Sequence, residues 1–404
     1  MAMAFEGIRV IEVAQAAAAP MAGRFLADLG ADVIHIENPT IGDAHRYFQA
    51  RKGTPIKAGR GVPSHVNYNF ELYNFNKRGM TLNLAAEKGQ EIMYKLIKRS
   101  DVFTTNMRPF ELEKFKLEYK DLSQVNPKLI YASLTGYGRV GPLKNAPGYD
   151  IVSYWARTGI PYMMDATGFR PAFGDSVGGL MLAYGITTAL LVRERTGMGQ
   201  EVDVSLYGVG IMQMSFDISG ALIEKREFSD YRERSREDSL NPLAGAYLTK
   251  DGRTFFIMAL QPDRYWPKIC QAIEREELIN DLRFNSFEAR AKNRLELFKI
   301  LDEAFATKTL DEWRLRFQDI PSGPVQYLLE VINDPQARAN NFFVPLNHPV
   351  HGPIEVVATP IKYSKTPATV RSAAPELGQH TEEILLELGY TWEDIGKLRE
   401  QQIV

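Results

Sequence analysis

Cysteine is almost missing from this chain: Cys270 is the only one in 404 residues. No internal disulfide can form, which excludes a disulfide-stapled secreted fold and suits a reducing cytosol. The segment around it, Trp266 to Ile273, reads as a buried helical face, so the thiol is expected in a core rather than at a reacting centre. Net charge is also nearly absent, with 48 basic residues against 50 acidic and a formal charge of -2. Nucleic-acid binding leaves a basic stripe, and the most charged stretch, Tyr231 to Asp238, instead interleaves Arg with Glu and Asp. No unbroken apolar run has the length of a membrane span. The longest, Val177 to Val192, is interrupted by Gly185, Thr187 and Thr188. The N-terminus carries Glu6, Arg9 and Glu12 where a signal peptide needs an apolar stretch. A cytoplasmic protein without nucleic-acid or membrane partners is expected.

Familiar catalytic signatures are missing too. The six histidines, at 35, 45, 65, 348, 351 and 380, form no H-E-x-x-H pair, so no metal site is expected. No G-x-S-x-G elbow is present. Where a dinucleotide fold would place G-x-G-x-x-G, the chain reads Gln15-Ala16-Ala17-Ala18-Ala19-Pro20. Small residues at a strand-to-helix turn still allow a ligand close to the backbone.

What is present is alternation. With 45% hydrophobic and 24% charged residues the composition is that of a globular chain, and the length favours two domains. Ile8 to Val13 and Val33 to Ile36 read as strands flanking a helix from Met21 to Leu29. Glu87 to Ser100 reads as an amphipathic helix, and Asp101 to Thr105 and Leu129 to Leu134 as strands. Such alternation predicts an α/β fold with a parallel sheet. After Ile223 the pattern changes: Gly245 to Leu248 and Thr254 to Ala259 read as strands around Lys250-Asp251-Gly252, followed by helices to about Ala306, a smaller α+β domain. Ile320 to Val325 is expected to break regular structure, and Gln379 to Gly389 to form a helix capped by Thr381.

Gly174-Asp175-Ser176-Val177-Gly178-Gly179 is the most informative segment. It sets a carboxylate at the start of a helix, Val177 to Arg195, that is apolar on nearly every side. Backbone N–H groups and the helix dipole would keep such a carboxylate ionised, as a carboxylate nucleophile requires. Asp is also a preferred N-cap, and on local grounds alone a structural cap is the first reading of Asp175.

Resemblance moves that reading. Gly7-Ile8-Arg9-Val10-Ile11-Glu12, Leu29 to Glu37, Asn76-Lys77-Arg78, Leu82-Asn83-Leu84 and Leu134-Thr135-Gly136-Tyr137-Gly138 resemble the class III CoA-transferases, the family of formyl-CoA and carnitine CoA-transferases. So do Gly174-Asp175, Thr196 to Gln200, Gly323-Pro324-Val325 and Leu377 to Thr381, all in order along the chain. The resemblance is closest to the branch acting on 2-hydroxy acids such as phenyllactate and 2-hydroxyisocaproate, through Arg46-Tyr47, Phe70 to Asn74 and Trp155-Ala156-Arg157.

The resemblance implies that Asp175 is the catalytic nucleophile, passing through an aspartyl anhydride and an aspartyl-CoA thioester, with CoA as substrate and product and no permanently bound cofactor. It implies CoA contacts at Gln15, Ala16, Ala17 and Ala18 near the thioester, and at Leu82, Asn106, Met107, Lys114 and Phe115 near the adenine. Arg108 and Lys114 supply fixed positive charge for phosphate, or are ordinary surface charges. Formyl-CoA transferase has a histidine and a glutamine where Gln15 and Ala17 stand, which argues against formate and oxalate as substrates. Gln15, Ala17, Phe48, Tyr149 and Asp150 are candidates to bind or orient the acid, Asp150 reading equally as the cap of a helix through Ile151 to Ala156. Phe48, Tyr68, Tyr149, Tyr154 and Trp155 would line an aromatic pocket, or would be core. Racemases of the same fold carry a histidine at the position of Tyr149. Tyrosine, with an ordinary pKa of about 10, replaces it poorly as a base.

Three functions follow in view: CoA transfer from an acyl-CoA to a carboxylic acid, an acyl-CoA racemase or isomerase, and a non-catalytic CoA-binding protein. The family also implies an interlocked homodimer and a Rossmann-like large domain. On that reading residues 1–205 begin the large domain, 206–225 form a linker helix, 226–315 a small α+β domain, and 316–404 a linker and C-terminal return.

Overall fold

The computed structural model describes residues 3–47, 67–164, 168–227 and 235–404. Phe48 lies outside them. The chain divides into two units, Met1–Glu227 with Asn340–Val404, and Phe228–Ala339.

The first unit is built on six parallel strands: β1 (Arg9–Val13), β2 (Asp32–Glu37), β3 (Arg78–Thr81), β4 (Val102–Thr105), β5 (Ile130–Thr135) and β6 (Gln200–Ser205), in the order β3-β2-β1-β4-β5-β6. That is the order of a doubly wound dinucleotide-binding sheet. Alternate side chains feed two cores because a strand's side chains alternate between faces. Val10, Val33, Val102 and Ile130 pack against α1 (Ala18–Asp28) and α7 (Phe173–Thr196). Ile11, Ile34, Phe103 and Tyr131 pack on the other face with α3 (Glu87–Lys98) and with Ile384, Leu385, Ile395 and Leu398 from the end of the chain. Between these lie α2 (Tyr68–Asn74), α4 (Pro109–Phe115), α5 (Tyr119–Val125) and α6 (Ile160–Met163).

Several expectations are corrected. Helix α7 starts at Phe173, not Val177, and is 24 residues long, enough to cross a bilayer at about 1.5 Å per residue. Its Gly178, Gly179, Leu182, Ala183 and Ile186 are nevertheless buried in the unit. The expected linker helix is two helices, α8 (Leu206–Gln213) and α9 (Ser215–Glu224), bent by 74°. Thr381 is not a cap. The helix Thr381–Glu387 is capped by His380 without a side-chain bond, and the Thr381 hydroxyl instead accepts the Thr81 N–H of β3 at 3.0 Å.

In the second unit β7 (Ala244–Leu248), β8 (Thr254–Met258) and β9 (Ser322–Pro324) form an antiparallel sheet, with β9 at an edge, where proline is tolerated. The expected break at Ile320 to Val325 therefore contains a strand. A core of Tyr247, Phe255, Trp266, Cys270, Phe305 and Trp313 fills this unit. Cys270 is buried, and burial pushes its thiol up to about 12, so it is inert. In the first unit β10 (Phe343–His348) pairs with β11 (Gly352–Val357) as a hairpin.

Candidate active site

A doubly wound sheet leaves a crevice outside the carboxyl ends of its strands where the order reverses, here between β1 and β4. Two adjoining clefts open there. One, of about 320 Å³, is lined by Gln15, Ala16, Ala17 and Ala18 after β1, Asn106 and Arg108 after β4, Gly136 after β5, and Tyr149 and Asp175. The other, of about 300 Å³, is lined by Ile36, Leu82, Met107 and Phe115. Gln15, Asn106 and Glu111 belong to both.

The turn after β1 is held by side chains from elsewhere. Gln15 N–H donates to Asn106 Oδ1 at 3.0 Å, and Asn106 Nδ2 donates back to Gln15 O at 2.7 Å. Ala16 has φ of 64°, a left-handed backbone uncommon for a residue with a Cβ. Its N–H is taken by both oxygens of Asp43, at 3.1 and 3.0 Å. Asp43 is fully buried, also accepts the His45 N–H at 2.7 Å, and lies 3.8 Å from His35 Nε2. Behind it, His35 Nδ1 is 2.8 Å from Glu12 Oε1, and Lys77 Nζ donates to the same oxygen at 2.6 Å. Burial works to raise the Glu12 pKa, but Lys77 and His35 outweigh it and the group stays low. The floor of the cleft thus rests on a buried ionic network.

Asp175 is the third residue of α7, and the N-cap is Ala172, at φ of 69° and without a side-chain cap. The local reading of Asp175 as a structural cap is therefore replaced. The cap comes from Asp150, whose Oδ2 accepts the Ala172 N–H at 2.9 Å. The expected Asp150 cap of its own following helix is not made: Ile151–Ala156 is a π-helical stretch with no side-chain bond from Asp150. Asp150 Oδ1 is buried with no partner in hydrogen-bond geometry among the described residues. Burial raises the Asp150 pKa, and the amides of Ala172, Gly174 and Asp175 only partly oppose it.

The expectation that helix amides keep Asp175 fully ionised is corrected as well. Those amides act on Asp150, and Asp175 is pushed up to about 7 by burial first and by the Asp150 charge second. Two neighbouring carboxylates cannot both ionise cheaply. Glycines create this geometry. A Cβ on Gly174 would overlap the Asp150 carboxylate and the Tyr154 ring, and one on Gly179 would come within 2.6 Å of Ala18 O and of Met21 Cβ. Glycine at 179 lets α7 lie against the start of α1, and glycine at 174 lets its first turn lie against Asp150 and Tyr154. Asp175 lines one cleft with Ala17 and Ala18.

Of the residues expected from sequence, Gln15, Ala16, Ala17, Ala18, Asn106, Arg108, Tyr149 and Asp175 meet in the first cleft, and Leu82, Asn106, Met107 and Phe115 in the second. Lys114 lines neither; its ammonium lies 5.5 Å from the centre of the Phe115 ring. Asp150 lies behind the first cleft. Tyr154 and Trp155 are buried and Tyr68 lines neither cleft, so of the described aromatics only Tyr149, 75% exposed, lines the first cleft. The Tyr154 ring is occupied instead in packing against Gly174.

Three residues at the site were not singled out from sequence: Asp43, Glu111 and Tyr73. Tyr73 packs with Ala17 and Met21. Its hydroxyl is pushed up to about 12 by burial and by the charges of Asp175 and Asp150, against a hydrogen bond with Ser176. The signal for it lay in the Phe70 to Asn74 stretch already noted for its resemblance.

Fold and crevice together define an α/β protein with two clefts along the carboxyl ends of a parallel sheet, one of them lined by a half-buried aspartate. The chain belongs to CoA-transferase family III, whose family model matches residues 5–381, and it is a CoA-transferase. It is 35% identical to an (R)-2-hydroxy-4-methylpentanoate CoA-transferase of Clostridioides difficile, over 100% of each chain. It is 34% identical to a cinnamoyl-CoA:phenyllactate CoA-transferase of Clostridium sporogenes, over 98% of this chain and 96% of that one. The branch expected from Arg46-Tyr47 and Phe70 to Asn74 is the one these two names describe. Among solved structures, a CAIB/BAIF family protein from Brucella suis matches with a TM-score of 0.79 and 30% identity, covering 96% of this chain and 100% of that one.

Proposed function

We propose that this enzyme moves CoA from an acyl-CoA to a free carboxylic acid by way of Asp175. The carrying observation is the position of Asp175: at the cleft, not used as the helix cap, and with its pKa pushed up to about 7. Its carboxylate oxygen attacks the thioester carbon of the donor, expelling CoA thiolate and leaving a mixed anhydride. The thiolate attacks the Asp175 carbonyl, which releases the donor acid and leaves an aspartyl-CoA thioester. The acceptor carboxylate attacks that thioester and expels the thiolate, forming a second anhydride. The thiolate then attacks the acceptor's acyl carbon, giving the new acyl-CoA and the free Asp175 carboxylate. Thioester energy is kept throughout, so no ATP is consumed and CoA serves as substrate and product.

The thioester end of CoA lies at Gln15 to Ala18 on this reading, and the nucleotide end toward Leu82, Met107 and Phe115. The acceptor is a hydrophobic or 2-hydroxy acid. Ala17, Ala18, Leu134, Pro147 and Leu206 give the cleft at Asp175 apolar walls, and Gln15 and Tyr149 supply a few polar atoms, the make-up of a site for a small apolar ligand. The names of the two relatives point the same way. A racemase would need a second base facing Asp175, and Tyr149 fills that position poorly.

The working form on this reading is an interlocked homodimer in the cytoplasm. Tyr184, Phe216 and Ile223 on α7 and α9 are 66, 84 and 81% exposed, more apolar surface than one copy in water should keep. The test of function is exchange. The enzyme is incubated with one acyl-CoA and a second acid without ATP, and acyl-CoA species are followed by mass spectrometry. A new acyl-CoA is expected, and none with Asp175→Ala. Exchange by that variant contradicts the reading.

A further inference from the structure

Glu111 stands between the two cations that a CoA phosphate would seek. It is three residues after Arg108 and three before Lys114, at the start of α4. It lines both clefts, so a CoA arm running from one to the other passes it. Among the described residues lining either cleft Arg108 is the only lysine or arginine, and it is already neutralised. Its Nε and Nη2 donate to the two Glu111 oxygens at 3.2 Å each. Burial acts to raise the Glu111 pKa, yet the Arg108 side chain and, more weakly, Lys114 keep it below the usual carboxylate range.

We propose that Glu111 is the resident counter-ion of Arg108, and that a CoA phosphate binds by displacing the Glu111 carboxylate from the guanidinium. The inference rests on the CoA reading of the cleft. Arg108 and Glu111 side chains are 40 and 32% exposed, so the pair is wet, weak and exchangeable. A phosphate offers the guanidinium fork more charge in the same geometry. Displacement does not undo the helix start, because Glu111 Oε2 also accepts the Arg108 backbone N–H at 3.0 Å, and that bond can remain. Glu111 therefore lowers affinity for phosphate-bearing ligands in particular, which favours release of the CoA product.

Isothermal titration of the full-length wild type, Glu111→Gln and Arg108→Gln with CoA, dephospho-CoA and pantetheine tests this. Glutamine keeps an acceptor for the Arg108 N–H, and an unchanged melting temperature checks that the helix start is intact. Glu111→Gln should bind CoA about two- to fivefold more tightly at low salt, the size of an exposed charge pair, with pantetheine unchanged and the gain shrinking as salt is added. Arg108→Gln should bind CoA more weakly. A gain that disappears with dephospho-CoA assigns the contact to the ribose phosphate, and one that persists assigns it to the diphosphate. If wild type binds CoA and Glu111→Gln binds it equally or less tightly, this inference is overturned and the function stands. Wild type that fails to bind CoA overturns both.

Discussion

Asp150 caps the helix that carries Asp175: its carboxylate accepts the Ala172 N–H at 2.9 Å, and its charge acts directly on the Asp175 carboxylate. One residue thus helps to fix the position of the other and adds to the upward shift that burial gives its pKa.

The rate of acyl transfer onto Asp175 should therefore rise with pH through about 7, because only the ionised carboxylate attacks and its pKa is pushed up to about 7. Removing the neighbouring charge with Asp150→Asn should lower that midpoint while the cap survives through the amide oxygen. Single-turnover rates against pH for both proteins check this. A wild-type midpoint in the ordinary carboxylate range contradicts it.

The same shift has a cost in stability. A carboxyl whose folded pKa is raised from 3.8 to about 7 stabilises the fold fully below its unfolded value, and that contribution is lost as pH climbs through about 7. Asp175→Asn has no such ionisation, so its stability relative to wild type should grow with rising pH and level off above neutrality. The gain should be on the order of 2 kcal/mol, since water in the cleft screens part of the effect. Denaturant unfolding at mildly acidic and mildly basic pH measures it, and a pH-independent difference refutes it.

Gly174→Ala should damage the site without touching its chemistry. The new methyl overlaps the Asp150 carboxylate and the Tyr154 ring, an overpacking that costs about 1–3 kcal/mol. Loss of activity is expected to accompany a lowered melting temperature, with Asp175 still present. A fully active, equally stable variant would mean that Asp150 and Asp175 are not held as described.

Asp43→Ala removes the only acceptor that the Ala16 N–H has among the described residues and releases a left-handed residue at the cleft floor. The unsatisfied amide alone costs about 1–3 kcal/mol. Asp43→Asn keeps one acceptor oxygen and should be milder. KM for acyl-CoA should rise more than kcat falls, since the turn shapes the binding surface. Steady-state kinetics of both variants provide the check, and equal KM values in all three proteins would exclude the role.

What the sequence made legible is what leaves a local pattern. Apolar runs marked β1, β2, β4 and β5, and small residues beside an acid marked Asp175. Strand β3 escaped because it is only Arg78–Thr81 and is secured by His380 and Thr381, some 300 residues away. Strand β6, Gln200–Ser205, alternates polar and apolar residues at a sheet edge and shows no continuous run. The cap from Asp150 crosses 22 residues and the Asp43 bonds to Ala16 cross 27, so no short spacing reveals either. Local reading placed the carboxylate on its helix and could not say which acid took the helix amides.

The central claim is that Asp175 itself joins the acyl groups, and the oxygen atoms report on it. In the sequence of bonds above, the bridging oxygen of the second anhydride comes from the acceptor acid and stays on Asp175 when CoA thiolate takes the acyl group. After one turnover with an acceptor whose carboxylate carries heavy oxygen, mass spectrometry of the peptide spanning Asp175 should find one heavy oxygen in that side chain. A fully converted enzyme whose Asp175 remains unlabelled would mean that the acids exchange CoA without passing through this residue.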